Sequence, residues 1–329
     1  MSVVTLANGR SFSAERGMSI LDAASAAGLV LEHSCRTGRC GSCKAQLLSG
    51  STGPLRDETS LTADEIADRW ILTCTREAES DVALDIEDLA ALAGISPKTL
   101  PCRINTIERV ASDVVRVELR LPPNAGFAFL AGQYVDVTGP GGIKRSYSIA
   151  SDMRAADRLE LHIRHVPGGA MSDYWFKSAK VNDLLRFRGP LGTFFLRELA
   201  GLHLIFLATG TGYAPVHAML KQLDALEPSA RPASTRLLWG GRVPQDIYAE
   251  PSDCAVDVKF TPVLSRADAA WTGARGYVQD MLLAERPDLA NAVVYACGSD
   301  AMIHAARAAL TAVALSPRRF YSDAFVSSN

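Results

Sequence analysis

The hydrophobic positions of this chain change their period twice, and each change marks a new kind of structure. At the start, VVTLANGRSFSA alternates apolar and polar residues on either side of Asn8-Gly9, which predicts a tight hairpin. Met18 to Ala27 is a run of good helix formers that stops before Gly28, and predicts a helix. A loop rich in glycine and cysteine follows, then two strand-like segments, KAQLLSG and DVALDIEDL, on either side of a polar stretch. Hairpin, helix, loop and returning strands predict a small sheet of the β-grasp kind. AGISPKTLP, with Gly94, Pro97 and Pro101, reads as a linker.

From Cys102 the period becomes two. Val115, Val117, Leu119 and Leu121 alternate with polar residues, as do Leu159, Leu161 and Ile163. Short alternating strands between Pro/Gly turns predict an antiparallel barrel, interrupted by one helix near Ser172 to Ala179. From about Gly201 the pattern shifts again. The buried strand-like runs LIFLA, RLLWG and VVYAC alternate with the helical runs APVHAMLKQL and DAMIHAARAALTAV, which predicts βαβ units on a parallel sheet. The expected domains are therefore 1–92, 99–198 and 200–329.

Composition narrows the functions. With 48% hydrophobic and 21% charged residues in 329, the chain has enough apolar matter for two or three ordinary cores. A net charge of −2 argues against a phosphate-binding surface for nucleic acid. The charge is uneven: residues 1–92 hold 8 Lys and Arg against 14 Asp and Glu, leaving 26 against 22 for the rest. An acidic first domain would steer a basic partner. No apolar run approaches the ~20 residues that cross a bilayer. The first residues lack the basic and apolar stretches of a secretion signal, so a cytoplasmic location is the expectation.

Seven cysteines in such a chain do not suggest a disulfide framework. Cys35, Cys40, Cys43 and the later Cys74 have the C-x4-C-x2-C…C spacing of plant-type [2Fe–2S] ferredoxins. Three thiolates from one tight loop and a fourth from a later strand can surround two irons. Gly38 and Gly41 let the loop curl so that its amides face the sulfurs, and Arg36 and Arg39 stand near enough to offset negative charge. Zinc is the alternative, but its sites usually combine two C-x2-C or similar knuckles and only one is present here. Cys102 and Cys254 stand alone and read as small buried hydrophobes. His33 reads as an unneeded fifth ligand, and the four tryptophans show no stacking array.

On these residues the chain resembles the reductase components that join a plant-type ferredoxin domain to a ferredoxin–NADP⁺-reductase-like module, and the resemblance spans essentially its whole length. Gly132-Gln133-Tyr134, then Arg145-Ser146-Tyr147-Ser148, then His162-Ile163-Arg164 and Gly168-Gly169-Ala-Met171-Ser172 occur in that family's order. FAD needs a flat wall, a hydrogen bond near N5 and donors for its pyrophosphate. Tyr147 can form the wall, Ser148 the hydrogen bond and Arg145 the charge. Gly168 and Gly169 allow close backbone approach, and Ser172 is expected to open a helix facing an anion. The resemblance implies FAD rather than FMN, because the ferredoxin domain comes first.

For the nicotinamide nucleotide, Thr209-Gly210-Thr211-Gly212 follows a strand and Pro215 is expected at a helix start. The third glycine of the Rossmann fingerprint is missing. Cys297-Gly298 ends another strand, and in the family this segment borders the nicotinamide, while Gly240 to Arg242 corresponds to the adenosine half. The family more often has glycine where this chain has Thr209. Arg242 is a lone cation with Asp246 close behind, which favours NADH over NADPH. The resemblance also places Phe325 against the flavin ring.

These expectations assemble into a monomeric electron-transfer enzyme with NADH, FAD and [2Fe–2S] as cofactors. Ser148, Cys297 and Phe325 stand closest to the chemistry, and a partner protein receives single electrons. The family's commonest partner is a Rieske-type ring-hydroxylating or demethylating oxygenase. The alternative is a dehydrase of deoxysugar synthesis, because WTGARGYVQD, VYACGSDAMIHAAR and FYSDAFV look very like the CDP-6-deoxy-glucoseen reductases. A zinc-stabilised nucleotide-binding module without redox activity is the third reading.

Overall fold

The computed structural model describes residues 1–92, 94–154, 157–251 and 256–325. Two compact units divide it, Met1–Ile95 and Ser96–Asn329. Ala93 of the expected linker and the lone Cys254 lie outside the described residues.

In the first unit the Asn8-Gly9 turn joins β1 (Ser2–Leu6) to β2 (Ser11–Ala14) in antiparallel register, Val4 opposite Phe12. Helix α1 (Ile20–Ala26) starts where the Ser19 hydroxyl accepts the Asp22 amide at 3.1 Å, a side-chain cap for one of the four unbonded N–H groups. After the cysteine loop come β3 (Lys44–Ser49), β4 (Thr52–Pro54), helix α2 (Ala63–Ala67), β5 (Trp70–Leu72), β6 (Arg76–Ala78) and β7 (Val82–Asp85). The main sheet runs β2-β1-β7-β3-β5, with β1 and β7 parallel and the remaining pairs antiparallel. Ile20, Leu21 and Ala24 from α1 pack on Val4, Leu31, Leu72 and Leu84, so the amphipathic helix closes one face of the sheet.

The second unit begins with six antiparallel strands: β8 (Lys98–Ala111), β9 (Val114–Arg120), β10 (Tyr134–Thr138), β11 (Lys144–Ser148), β12 (Arg158–Arg164) and, after a short helix α3 (Ala170–Asp173), β13 (Leu184–Leu191). Their order is β11-β10-β13-β8-β9-β12, and a bridge from Ile149 to Leu161 joins the two ends. The period of two works as expected. Val115, Val117, Leu119, Leu159, Leu161 and Ile163 face one core, while Arg116, Arg120 and Arg158 face outward.

The remaining strands form a second sheet, all parallel: β14 (His203–Thr209), β15 (Ser234–Gly241), β16 (Val258–Leu264), β17 (Ala274–Arg275), β18 (Ala292–Ser299) and β19 (Phe320–Phe325). Their order is β17-β16-β15-β14-β18-β19, and helices α4 (Tyr213–Asp224), α5 (Val278–Ala284) and α6 (Asp300–Thr311) make connections between them. Strand β14 shows no alternation because both its faces are covered; Leu204 to Ala208 are all buried. The order departs from sequence order at β14, between β15 and β18. Ligands of open parallel sheets bind outside the carboxyl ends of the strands at such a point.

Among the described residues no helix is long and apolar enough to cross a membrane.

Candidate cofactor sites

The four spaced cysteines meet in the first unit as two pairs. Cys43 Sγ lies 3.3 Å from Cys74 Sγ, and Cys35 and Cys40 share the other hydrogen bond between thiols. The hydrogen bond from Cys40, with amide donors behind it, holds the Cys35 thiol down at about 4; Cys74 is lowered in the same way by Cys43. Backbone donors surround the sulfurs: the Cys35 amide reaches Cys40 Sγ and the Thr37 amide reaches Cys35 Sγ, each at 3.4 Å, while the Gly38 amide faces Cys74. Gly38 has φ +79, and a Cβ there would strike the Asp57 carbonyl and come within 2.9 Å of Thr75 Cγ2. Paired thiols ringed by amides fit two irons better than one zinc, which needs four donors around a single point.

Two expected neighbours behave differently. Arg36 is tied to Asp22 at 2.5 Å, so its charge is largely matched by a carboxylate. His33 Nδ1 lies 2.9 Å from the Leu31 carbonyl, as a loop contact. Cys102 is buried, its thiol pushed up to about 12 by burial, as an inert core residue requires.

In the antiparallel sheet, Arg145, Ser146, Tyr147 and Ser148 lie along β11 opposite Val137 to Tyr134. Arg145 is exposed with one bond, to the Lys144 carbonyl at 2.8 Å, which leaves most of its donors to solvent. The Tyr147 hydroxyl accepts from the Trp175 indole at 3.0 Å; burial raises that phenol to about 12, so it stays protonated. Ser148 is buried at the strand end, and Ser146 donates to Asp136 at 2.6 Å.

Several residues depart from their expected parts. Helix α3 opens at Ala170 with Gly169 as its cap, and Ser172 accepts the Val166 amide at 2.7 Å. Ser172 therefore closes the Gly168-Gly169 turn. The Ile163 side chain belongs to the core, and Met171 is buried against Gly139, where a Cβ would stand 2.9 Å from Met171 Cε; each has only its backbone to offer a cofactor. His162 bonds Glu160 at 2.8 Å and the Tyr248 hydroxyl at 3.0 Å. Nearby His217 donates from Nδ1 to the Ala150 carbonyl at 2.9 Å. Glu160, His162 and His217 bring one ligand atom each within 4.8 Å of one another. The nearest ring nitrogens are occupied by those bonds, so the cluster is a satisfied network.

Arg164 is the largest surprise. It donates from Nε to Asp113 at 2.7 Å and from Nη2 to Asp246, and a Cβ on Gly210 would lie 2.7 Å from its Nη1. It thus ties strand β12 to the β8–β9 turn and to the segment after β15, and packs against the turn that ends β14. Asp246 also accepts the Arg242 amide at 2.6 Å and the Arg242 Nε at 3.4 Å. Burial pushes its carboxyl up, but these bonds and Arg164 hold it below the usual range. Arg242 is a cation already matched by an anion.

At the carboxyl ends of the parallel strands, three loops converge. Gly210 to Gly212 forms a tight turn leading into α4, with Pro215 at the third helical position, two residues later than expected. Gly212 packs against the Cys297 backbone, where an added Cβ would strike the carbonyl and lie 2.6 Å from its carbon. Cys297 is fully buried, its thiol held well above the usual range by burial, so it stays neutral. Phe325 pairs in register with Ser299 and is half-exposed.

Sequence reasoning missed what supports these loops. Trp239 stacks on Tyr213 with centroids 4.1 Å apart and planes 11° apart, and its indole donates to the Gly210 carbonyl at 3.0 Å. Trp239 thus stacks on a tyrosine, although among the described residues the four tryptophans form no array with one another. Asp113 and Tyr248 also went unnoticed, and Asp246 was read only as a neighbour of Arg242, because lone polar residues far apart in sequence carry no local pattern.

A thiol quartet in one unit, and in the other a two-sheet module with glycine-lined turns at the carboxyl ends of its parallel strands, fit an iron–sulfur flavoprotein electron-transfer protein. The sequence matches the 2Fe-2S iron-sulfur cluster binding domain over residues 4–79, the oxidoreductase FAD-binding domain over 101–196 and the oxidoreductase NAD-binding domain over 206–308. It is 41% identical over 321 residues to a CDP-6-deoxy-L-threo-D-glycero-4-hexulose-3-dehydrase reductase of Yersinia pseudotuberculosis, covering 96% of each chain. It is 31% identical over 323 residues to reductase component 2 of the terephthalate 1,2-dioxygenase of Comamonas sp, covering 96% and 94%. The solved structure of an Amycolatopsis cytochrome P450 reductase superposes with a TM-score of 0.72 at 30% identity, covering 99% of both chains. The chain belongs to the family of iron–sulfur flavoprotein reductases, oxidoreductases that bind [2Fe–2S], FAD and NAD.

Proposed function

We propose that this enzyme oxidises NADH and delivers single electrons to a CDP-6-deoxy-L-threo-D-glycero-4-hexulose 3-dehydrase. The observation that carries the choice of partner is the 41% identity over nearly the whole length to a reductase of that dehydrase. The oxygenase reading now stands second, carried by the 31% identity to the terephthalate dioxygenase component. When bound, the three cofactors supply hydride donation, conversion of a two-electron to a one-electron flow, and single-electron carriage.

The chain's own residues bind, orient and insulate. Cys35 and Cys40 hold one iron, Cys43 and Cys74 the other, and the loop amides offset negative charge on the sulfurs. Arg145 neutralises pyrophosphate, Tyr147 walls the flavin and Ser148 donates a hydrogen bond towards N5. Ser146, Gly168, Gly169 and the backbone of His162 to Arg164 and of Met171 and Ser172 complete that site. Gly210 to Gly212 and Pro215 receive the nicotinamide nucleotide's phosphates, Arg242 its adenosine half, and Cys297, Gly298 and Phe325 its nicotinamide ring. Asp246 matches the charge of Arg242, which favours NADH over its 2′-phosphorylated form.

The first unit reads as a β-grasp ferredoxin domain of residues 1–92. The antiparallel sheet, joined end to end at Ile149 and Leu161, reads as an FAD barrel of 99–198, followed by an NAD domain of 200–329. We take the protein to be a cytoplasmic monomer. The test is reconstitution. The purified enzyme and NADH should support 3,6-dideoxysugar formation by the dehydrase acting on its CDP-sugar. Turnover with a Rieske oxygenase and none with the dehydrase would reverse the order of the two readings.

A further inference from the structure

We propose that Thr209 is a positioning residue that sets the nicotinamide-side loop through its hydroxyl and the adenosine-side loop through its methyl. The proposal rests on reading residues 209–212, 240–242 and 297–299 as the nicotinamide nucleotide site.

Thr209 ends β14, the strand between β15 and β18, so its side chain meets the carboxyl end of each neighbour, where the following loop begins. Towards β18, its Oγ1 accepts the Ser299 amide at 2.9 Å. Ser299 in turn caps α6, its hydroxyl accepting the Met302 amide at 3.3 Å. One hydroxyl therefore fixes the end of β18 and the start of the next helix together. Gly298, with φ +135, fits tightly against Thr209: a Cβ there would strike Oγ1 and lie 2.7 Å from the Thr209 carbonyl oxygen. Towards β15, a Cβ on Gly240 would come within 3.1 Å of Thr209 Cγ2. Nothing else in the side chain is left over: the hydroxyl serves one loop and the methyl serves the other.

Glycine at this position would leave the Ser299 amide without this acceptor and the Gly240 side unfilled. Threonine replaces that freedom with two contacts of different chemistry. The two can be separated by substitution, because valine keeps the methyl contact and serine keeps the hydroxyl.

The experiment uses the full holoenzyme, with flavin and cluster spectra recorded first. In stopped flow, Thr209→Val should slow flavin reduction at saturating NADH roughly fivefold, the loss expected for one hydrogen bond. Inhibition by ADP-ribose, which lacks the nicotinamide, should stay within twofold of wild type. Thr209→Ser should reduce at the wild-type rate and bind ADP-ribose more weakly. A general loss of structure would move both readouts in both variants. Gly212→Ala tests the underlying site, since its Cβ would strike the Cys297 carbonyl. If Gly212→Ala impairs NADH oxidation but Thr209→Val reduces normally, or if valine and serine behave alike, the positioning role is overturned. If Gly212→Ala oxidises NADH normally, the site assignment fails and takes the proposal with it.

Discussion

Arg164 reaches Asp246 across the boundary between the antiparallel and parallel sheets, and Asp113 holds the same guanidinium from the other side at 2.7 Å. Asp113 sits in the β8–β9 turn and Asp246 after β15, so one cation fixes a loop from each sheet. The Arg164 side chain is only 27% exposed and Asp246 only 7%, so the pair is poorly screened. Arg164→Ala leaves Asp246 buried without this partner. It should destabilise the second unit by about 3 kcal/mol and raise the KM for NADH severalfold. Arg164→Lys should recover only part of both, because lysine cannot span two carboxylates with a rigid fork. Chemical denaturation and steady-state kinetics check this; a fully active, fully stable alanine variant would remove the role.

Trp239 gives a finer test of the same loops. Trp239→Phe keeps a ring on Tyr213 but loses the donor to the Gly210 carbonyl, a bond worth about 1 kcal/mol. The KM for NADH should rise roughly fivefold while thermal stability changes little. A drop in stability without a change in KM would show that the indole acts only as core.

The iron–sulfur domain was the most legible part of the sequence, because three of the four spaced cysteines and both loop glycines fall within nine residues. The strand and helix periods were legible for a similar reason, each being set by neighbours a few positions away. The contacts made by Arg164, Asp246, Trp239 and Thr209 were not. Their roles depend on β14 lying between β15 and β18 and on β12 reaching the loops beyond them, and no short-range pattern encodes strand order. Ser172 was misread because Gly169 caps the helix and offers no side-chain oxygen to announce it.

Each of Cys35, Cys40, Cys43 and Cys74 should be required for two irons and two labile sulfides per chain. Cys102→Ser should leave the visible spectrum unchanged, since that thiol is buried in a core of its own. Iron and sulfide analysis of anaerobically purified protein decides it. Stoichiometric zinc in a colourless protein would overturn the assignment.

His217 makes stability depend on pH in a definite direction. Burial lowers it to about 4, with Lys221 and His162 adding to the effect and Glu160 and the Ala150 carbonyl opposing it. The folded state thus favours the neutral ring. Its contribution is complete above the unfolded value of about 6.5 and is lost as pH falls from there towards 4. Glu160, held at about 2 against burial by His162 and His217, loses its share at lower pH. Between pH 7 and pH 5 the second unit should lose on the order of 2 kcal/mol. His217→Asn keeps a donor for Ala150 without titrating and should flatten that slope. An unchanged slope in the variant would assign the pH dependence elsewhere.

The last prediction concerns where electrons leave. The two units have separate cores, so Ser96–Asn329 should fold when expressed alone. That fragment carries the FAD and NAD sequence matches and lacks all four spaced cysteines. It should still pass NADH electrons to ferricyanide, a small acceptor that needs no protein docking, and should fail with cytochrome c and with the dehydrase. In the whole enzyme, residues 1–92 carry 14 acidic against 8 basic side chains, so partner reduction should weaken as salt rises and the Debye length shrinks to ~3 Å at 1 M. The ferricyanide reaction of the fragment, which uses none of that surface, should respond much less. If the fragment reduces the dehydrase as fast as the whole enzyme does, the cysteine-bearing unit is not the exit.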